Sequence, residues 1–358
     1  MAAGIAGVAL AATTGQAAAS APVVLVRTHT PITAIDANST WLGLRRDRRT
    51  LASAPGCVTV IDRRRWTTGA ITNVFRCNQN GQEEDSAGFA LGQSATTWIT
   101  GRFQSQGCCD LEEAMSLRTP AGGVRDSSFH HEGCGGNELV NLAARADAAA
   151  YTKAIWTTSS CPGNPTTGTD SLTGGEVRTL RLPTGQPRAL PGSPPARFIG
   201  VSRRHLVLVP YDLTTSVVNR YPPPLPEIEV WGLRGRKLQR TIAESGVITA
   251  IATYGDQIAV LVENGSGNLR IDRFSATTGA GAGSTPVAPT TAPMLAIYYR
   301  WVVYVVGDEV KALNSHNESF HMIAISGARP REVLAVRGKA VWFTTTDNRS
   351  RVLAAPLP

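Results

Sequence analysis

Short apolar β-runs return along this chain about every 40 to 60 residues, each followed by further runs and a Thr- and Gly-rich turn. The first run of each unit occupies residues 32–35, 88–91, 139–142, 197–201, 247–251, 294–297 and 333–336. In the first unit a second run follows at 40–44, a third at 57–62, a turn at Thr67-Thr68-Gly69 and a fourth run at 70–75. Glycine suits such turns because it accepts φ > 0 without a Cβ clash. A four-stranded unit at this interval describes the blade of a β-propeller, and seven starts predict seven blades.

The rest of the sequence is consistent with that count. Spread over residues 22–358, seven units take about 48 residues each, the usual length of a four-stranded blade, so the length needs no second domain. Gly 35 and Pro 22 punctuate β-branched runs, and only 17% of residues are charged, which favours many strands over long helices. The last unit supplies runs at 333–336, 340–344 and 351–354 and lacks a fourth. An orphan run at 22–27 precedes the first unit. Pairing it against residues 350–355 closes the ring and removes an open sheet edge.

The B-strand runs around Trp98, Trp156 and Trp342, with the turns Leu182-Pro183-Thr184-Gly185 and 274–279, resemble secreted bacterial propellers with TolB-like or WD-repeat-like blades. The resemblance spans residues 22–358. It implies the fold and partner binding, and it carries no catalytic residue over. No Trp-Asp dipeptide occurs, which sets the chain apart from true WD repeats.

Residues 1–21 form an Ala-rich segment ending in Ala19-Ser20-Ala21, like the cleavage site of a secretory signal, although no basic residue precedes Arg27. The segment reads as a signal peptide or a disordered Ala-rich tail, and residues 22–358 as one propeller domain in a bacterial protein that is secreted or extracytoplasmic. Past residue 21 no stretch of 18 apolar residues occurs, so no transmembrane helix is expected.

All six cysteines, Cys57, Cys77, Cys108, Cys109, Cys134 and Cys161, fall in the first half of the chain, in segments assigned to one rim of the propeller. An even number in an exported chain points to disulfides. The favoured pairing joins Cys57 to Cys77 and divides Cys108 and Cys109 between Cys134 and Cys161, with the order of that division open. A metal site is the alternative, because His130, His131, Glu132 and Cys134 lie near Cys108, Cys109 and Asp110. The usual spacing of a structural zinc site is missing, however. Asp110, His130, His131 and Glu132, on this rim, are the candidate ligand contacts.

The formal net charge is +8, and all but four of the 35 basic residues are arginine. Arg45, Arg46, Arg48, Arg49, Arg63, Arg64 and Arg65 concentrate that charge in the first unit and form a candidate site for an anionic polymer or acidic cell surface. A groove-reading helix or aromatic stacking platform is missing, so nucleic acid is not an expected partner. No nucleophile elbow, zinc-protease helix, phosphate loop or EF-hand loop occurs, and no cofactor is expected. The sequence thus predicts a non-enzymatic propeller binding a protein or glycan through the loop face of its first three blades. The competing expectation is a glycan hydrolase or lyase whose acids converge on the central channel.

Overall fold

The structure is a computed structural model, and it describes residues 21–47, 59–76, 84–93, 95–105, 111–121, 123–131, 135–158, 170–215, 217, 220–346 and 349–358. These residues form 28 strands and no helix. β1 covers Val23–Thr28. β2 (Ile32–Ala37), β3 (Trp41–Asp47), β4 (Thr59–Arg65) and β5 (Ile71–Arg76) make a four-stranded sheet. β6 (Glu84–Leu91), β7 (Thr96–Ser105), β8 (Leu111–Arg118), β9 (Val124–His131), β10 (Gly135–Arg145), β11 (Ala148–Thr158), β12 (Asp170–Arg181) and β13 (Arg188–Ala189) join in one eight-stranded sheet.

Four-stranded sheets resume with β14 (Ala196–Val201), β15 (His205–Pro210), β16 (Glu227–Gly232) and β17 (Lys237–Ala243). The next comprises β18 (Val247–Tyr254), β19 (Gln257–Glu263), β20 (Leu269–Ser275) and β21 (Gly281–Val287). It is followed by β22 (Leu295–Tyr298), β23 (Trp301–Val306), β24 (Glu309–Asn314) and β25 (Phe320–Ile325). The last sheet has the order β1-β28-β27-β26, from β26 (Glu332–Val336), β27 (Lys339–Thr346) and β28 (Arg349–Pro356). The strand pairings are antiparallel, and β1 lies along β28 with Val23 opposite Ala354 and Thr28 opposite Ser350.

This is an all-β propeller arrangement. Five sheets stand as separate four-stranded units, whereas the sequence reading expects seven. The reason is local: β9 and β10 pair through His131 with Gly135 and His130 with Gly136, so two expected blades become one continuous sheet.

Apolar cores lie between sheets. Val207, Val209 and Ile228 of one sheet meet Ile248, Val260 and Val262 of the next, and Trp301 and Val303 meet Trp342 and Leu353 in the same way. A strand covered on both faces needs no polar alternation, and this is why all six residues of β15 are buried. The antiparallel order puts the β2–β3, β18–β19, β22–β23 and β26–β27 turns on one face of the propeller. The paired strand ends Asp47 with Thr59, Ser105 with Leu111 and Thr158 with Asp170 lie on the other.

Candidate functional site

Of the four rim residues singled out by sequence, His130 is described with its side chain, and it lies in a compact cluster. It is the second-last residue of β9, opposite Gly136 of β10, and Gly136 in turn lies opposite Trp156 of β11. Gly136 has φ +135, and a Cβ there would come 2.3 Å from the Phe129 carbonyl. With no side chain between them, the His130 and Trp156 rings approach to 5.8 Å. The imidazole Nε2 lies 3.2 Å from Oδ2 of Asp170, the first residue of β12. Asp170 is 4% exposed and His130 16%, so one edge of the imidazole reaches the surface while the carboxylate orients it from below.

A second carboxylate organises the aromatic side of the cluster. Trp156 donates its indole N–H to Glu138 Oε2 at 2.8 Å, and the Tyr221 hydroxyl donates to the same oxygen. Tyr221 meets Trp156 edge-on at 5.0 Å and stacks on Tyr211 at 5.3 Å. Asn141, held at φ 56 beside a bulge in β10, donates to the Tyr211 hydroxyl at 3.0 Å and to the Ala196 carbonyl at 2.8 Å. Burial raises the pKa of the Tyr211 phenol and keeps it protonated. The result is a rigid aromatic cluster in which Trp156 and Tyr211 are buried and Tyr221 and the His130 imidazole lie at the edge, an arrangement suited to a ligand having an apolar face and a hydrogen-bonding rim.

Asp170, Tyr211 and Tyr221 escape sequence reasoning because they lie far from His130 in the chain, and Glu138, eight residues on, because its role comes from the Trp156 and Tyr221 partners that the fold brings to it; Trp156 is read there only as a blade marker. The His131 backbone pairs with Glu112 and Gly135, while Asp110 and Glu132 lie outside the described residues. All six cysteines also lie outside them, and with them the disulfide and metal expectations. Among the described residues no three metal-ligating side chains gather. No helix there is long and apolar enough to cross a membrane.

The arginines of the first unit are divided rather than gathered. Arg46 pairs with Asp62 and Arg45 donates to Thr33 Oγ1 at 2.8 Å, both near one end of β3. At the other end of that sheet Arg63 and Arg65 lie over the Trp41 ring at 4.5 and 5.3 Å, and Arg64 donates to the Leu25 carbonyl. Arg48 and Arg49 lie outside the described residues.

Two acids on neighbouring inner strands also escape the sequence reading. Glu332 of β26 accepts the Ile35 N–H at 2.7 Å. The next residue, Asp36, accepts the N–H groups of Ala37 at 2.7 Å and Leu91 at 2.6 Å. Burial pushes Asp36 up to about 6, against the pull of these N–H groups and of Arg145. Burial and the nearby Asp36 push Glu332 up to about 7. Each carboxylate therefore latches its own strand to the backbone of the next sheet. Their signal in sequence is an acid beside the first run of consecutive units, 35-36 and 332-333.

No protein-family model and no curated protein matches this chain. Solved structures do resemble it. The WD40 domain of Neurospora crassa Pan2 is 10% identical, with 94% of this chain and 96% of that one covered at a TM-score of 0.54. A chain of the mitotic checkpoint complex is 9% identical, with 92% and 94% covered at a TM-score of 0.52. At such identities the likeness is one of fold, and it places the chain among WD-repeat-like β-propellers in architecture.

Proposed function

We propose that this protein is a secreted, non-enzymatic β-propeller that binds a protein or glycan partner through the loop face of its first three blades. The observation that carries the reading is the His130, Trp156 and Tyr221 cluster held by Asp170 and Glu138 on that face. Its rings are fixed by hydrogen bonds before any ligand arrives, so little ordering entropy is lost on binding. Export rests on the Ala-rich leader and the even cysteine number.

In this reading residues 22–358 are one seven-bladed domain in which the eight-stranded sheet counts as two blades and β1 closes the last. Its support is the cyclic contact of β2, β6, β10, β14, β18, β22 and β26, with β26 returning to β2. The test is capture on glycan and protein arrays by the chain and by His130→Ala. The variant should lose at least about tenfold in affinity with an unchanged melting temperature. Equal binding by both would remove the rim from the function.

Asp36 and Glu332 favour a second reading, a glycan hydrolase or lyase. An enzyme needs these carboxylates for turnover, so Asp36→Asn and Glu332→Gln would abolish activity on a glycan panel. A latch predicts altered stability alone. The N–H donors already bound to both carboxylates favour the latch.

A further inference from the structure

The propeller face carrying the β18–β19 and β22–β23 turns contains a cleft of about 630 Å³ between the fifth and sixth units, away from the His130 cluster. Tyr254, Tyr298, Tyr299, Arg300 and Asp256 line it. The rings of Tyr298 and Tyr299 lie 4.7 Å apart, and Tyr254 approaches them at 5.2 and 5.0 Å. Behind them Arg145 covers the Tyr254 ring at 4.7 Å and donates to the Thr253 carbonyl at 3.1 Å, which fixes the base of the group.

Tyr299 is out of place by the ordinary rules of folding. It begins the two-residue connection between Tyr298 and Trp301, which pair with each other, and its φ is 52. That left-handed conformation is disfavoured for a bulky side chain; the same turn position is Gly255, with φ 60, in the preceding sheet and the smaller or flexible Ala146 and Arg337, with φ 51 and 54, in two others, so Tyr299 is the one aromatic among these four turns. Nor does the core require the ring, because Tyr299 is 58% exposed. A strained aromatic that is mostly exposed, and whose packing is confined to the neighbouring tyrosines Tyr254 and Tyr298, is the kind of residue retained for contact with a ligand.

The charges select the ligand. Arg300 is exposed beside Tyr299, with its guanidinium 5.3 Å from the Trp301 ring centroid, and it makes no ion pair among the described residues. Asp256, the one carboxylate side chain lining the cleft, is already held by Ser275 Oγ at 2.7 Å and the Thr277 N–H at 2.6 Å. The cleft therefore offers aromatic faces and phenol hydroxyls beside an unpaired guanidinium. We infer that it binds an acidic saccharide, a uronate-type pyranose whose C–H face lies on Tyr299 and whose carboxylate meets Arg300.

This site is independent of the rim proposed above. Calorimetry on the full chain with tetragalacturonate and with neutral cellotetraose tests it. The acidic oligomer should bind at least about tenfold more tightly than the neutral one, and added salt should weaken it. Tyr299→Gly should lose about tenfold or more in affinity while its melting temperature stays level or rises, since glycine suits the turn. Arg300→Gln should bring the two oligomers to similar affinity. A Tyr299→Gly variant that melts lower and binds as before would make the tyrosine structural and overturn the proposal. Equal binding of both oligomers by the unaltered chain, or no binding of either, would overturn it as well.

Discussion

Two junctions in this propeller hold neighbouring sheet segments together by different physics. Between β22–β25 and β26–β28 the contact is apolar: Trp301, Val303 and Ile323 face Trp342, Val333 and Leu353, and the Trp342 indole N–H is satisfied by Ser326 Oγ at 2.9 Å. Between β7–β9 and β10–β12 an apolar layer of Ile99, Met115 and Leu117 against Leu139, Tyr151 and Leu180 is joined by a charge network. Asp126 of β9 accepts from the Tyr151 hydroxyl, from Lys153 Nζ at 3.3 Å and from Arg178 Nη1 at 3.0 Å. Burial by itself would raise the Asp126 pKa, but the Tyr151 hydrogen bond and the Lys153 and Arg178 charges outweigh it and hold the carboxyl below its ordinary range. Apolar packing tolerates changes of pH and salt, whereas a charge network responds to both. The network also occurs where β9 and β10 have merged two expected blades, so a polar tie accompanies the least separable part of the ring.

The sharpest way to break this contrast is Trp342→Ala, which removes a fully buried ring from the apolar junction. It should cost about 3 to 5 kcal/mol in urea unfolding, with little dependence on salt. Asp126→Ala in the polar junction leaves the Tyr151 hydroxyl without its acceptor and takes the shared carboxylate from Lys153 and Arg178, which keep the Ser127 carbonyl and Glu176, and should cost about 1 to 3 kcal/mol at neutral pH. Because the folded Asp126 pKa is depressed, its contribution is present above the ordinary aspartate range and fades as pH falls through the folded value. The loss caused by the substitution should therefore shrink in acid. A pH-independent loss would mean that Asp126 acts by packing.

The inner-strand latches carry the opposite sign. Asp36 and Glu332 have folded values raised from 3.8 to about 6 and from 4.5 to about 7, so between roughly pH 4 and 7 the folded chain holds more protons than the unfolded one. Stability from this source is fully present below about pH 4 and is lost as pH rises through 6 and 7, by about 1 to 3 kcal/mol. Melting curves of the chain and of an Asp36→Asn, Glu332→Gln variant across that range should diverge, with the variant flatter; parallel curves would show that the pair does not titrate there. Least of all, Arg63→Ala should cost about 0.5 to 1 kcal/mol through its lost contact with Trp41.

Much of the strand inventory was legible in the chain. The run at 333–336 lies within β26 and the run at 340–344 within β27, where all five of its residues are buried, because a strand covered on both faces needs no polar alternation. The sites were far less legible. His130 was identified by residue type, but its partner Asp170 is 40 positions away and enters the cluster through the β11–β12 register. Asp36 and Glu332 come together only because the first and last sheets are neighbours. The arginine-rich runs looked like one patch because sequence distance is blind to strand direction: on antiparallel β3 and β4, Arg46 lies opposite Val60 while Arg65 lies opposite Trp41.

The amino-acid sequence by itself determined that this chain is all-β and propeller-like, since short apolar runs, β-branched residues and Gly turns are local properties that each segment carries alone. Tertiary structure decided the rest. It merged β6–β13 into one sheet and paired β1 with β28. It also tied the buried carboxylates to the backbone of neighbouring sheets and set Tyr299 in a conformation its side chain disfavours. Each of these depends on which distant segments become neighbours, a choice made by the mutual burial of sheet faces rather than by any residue's own propensity.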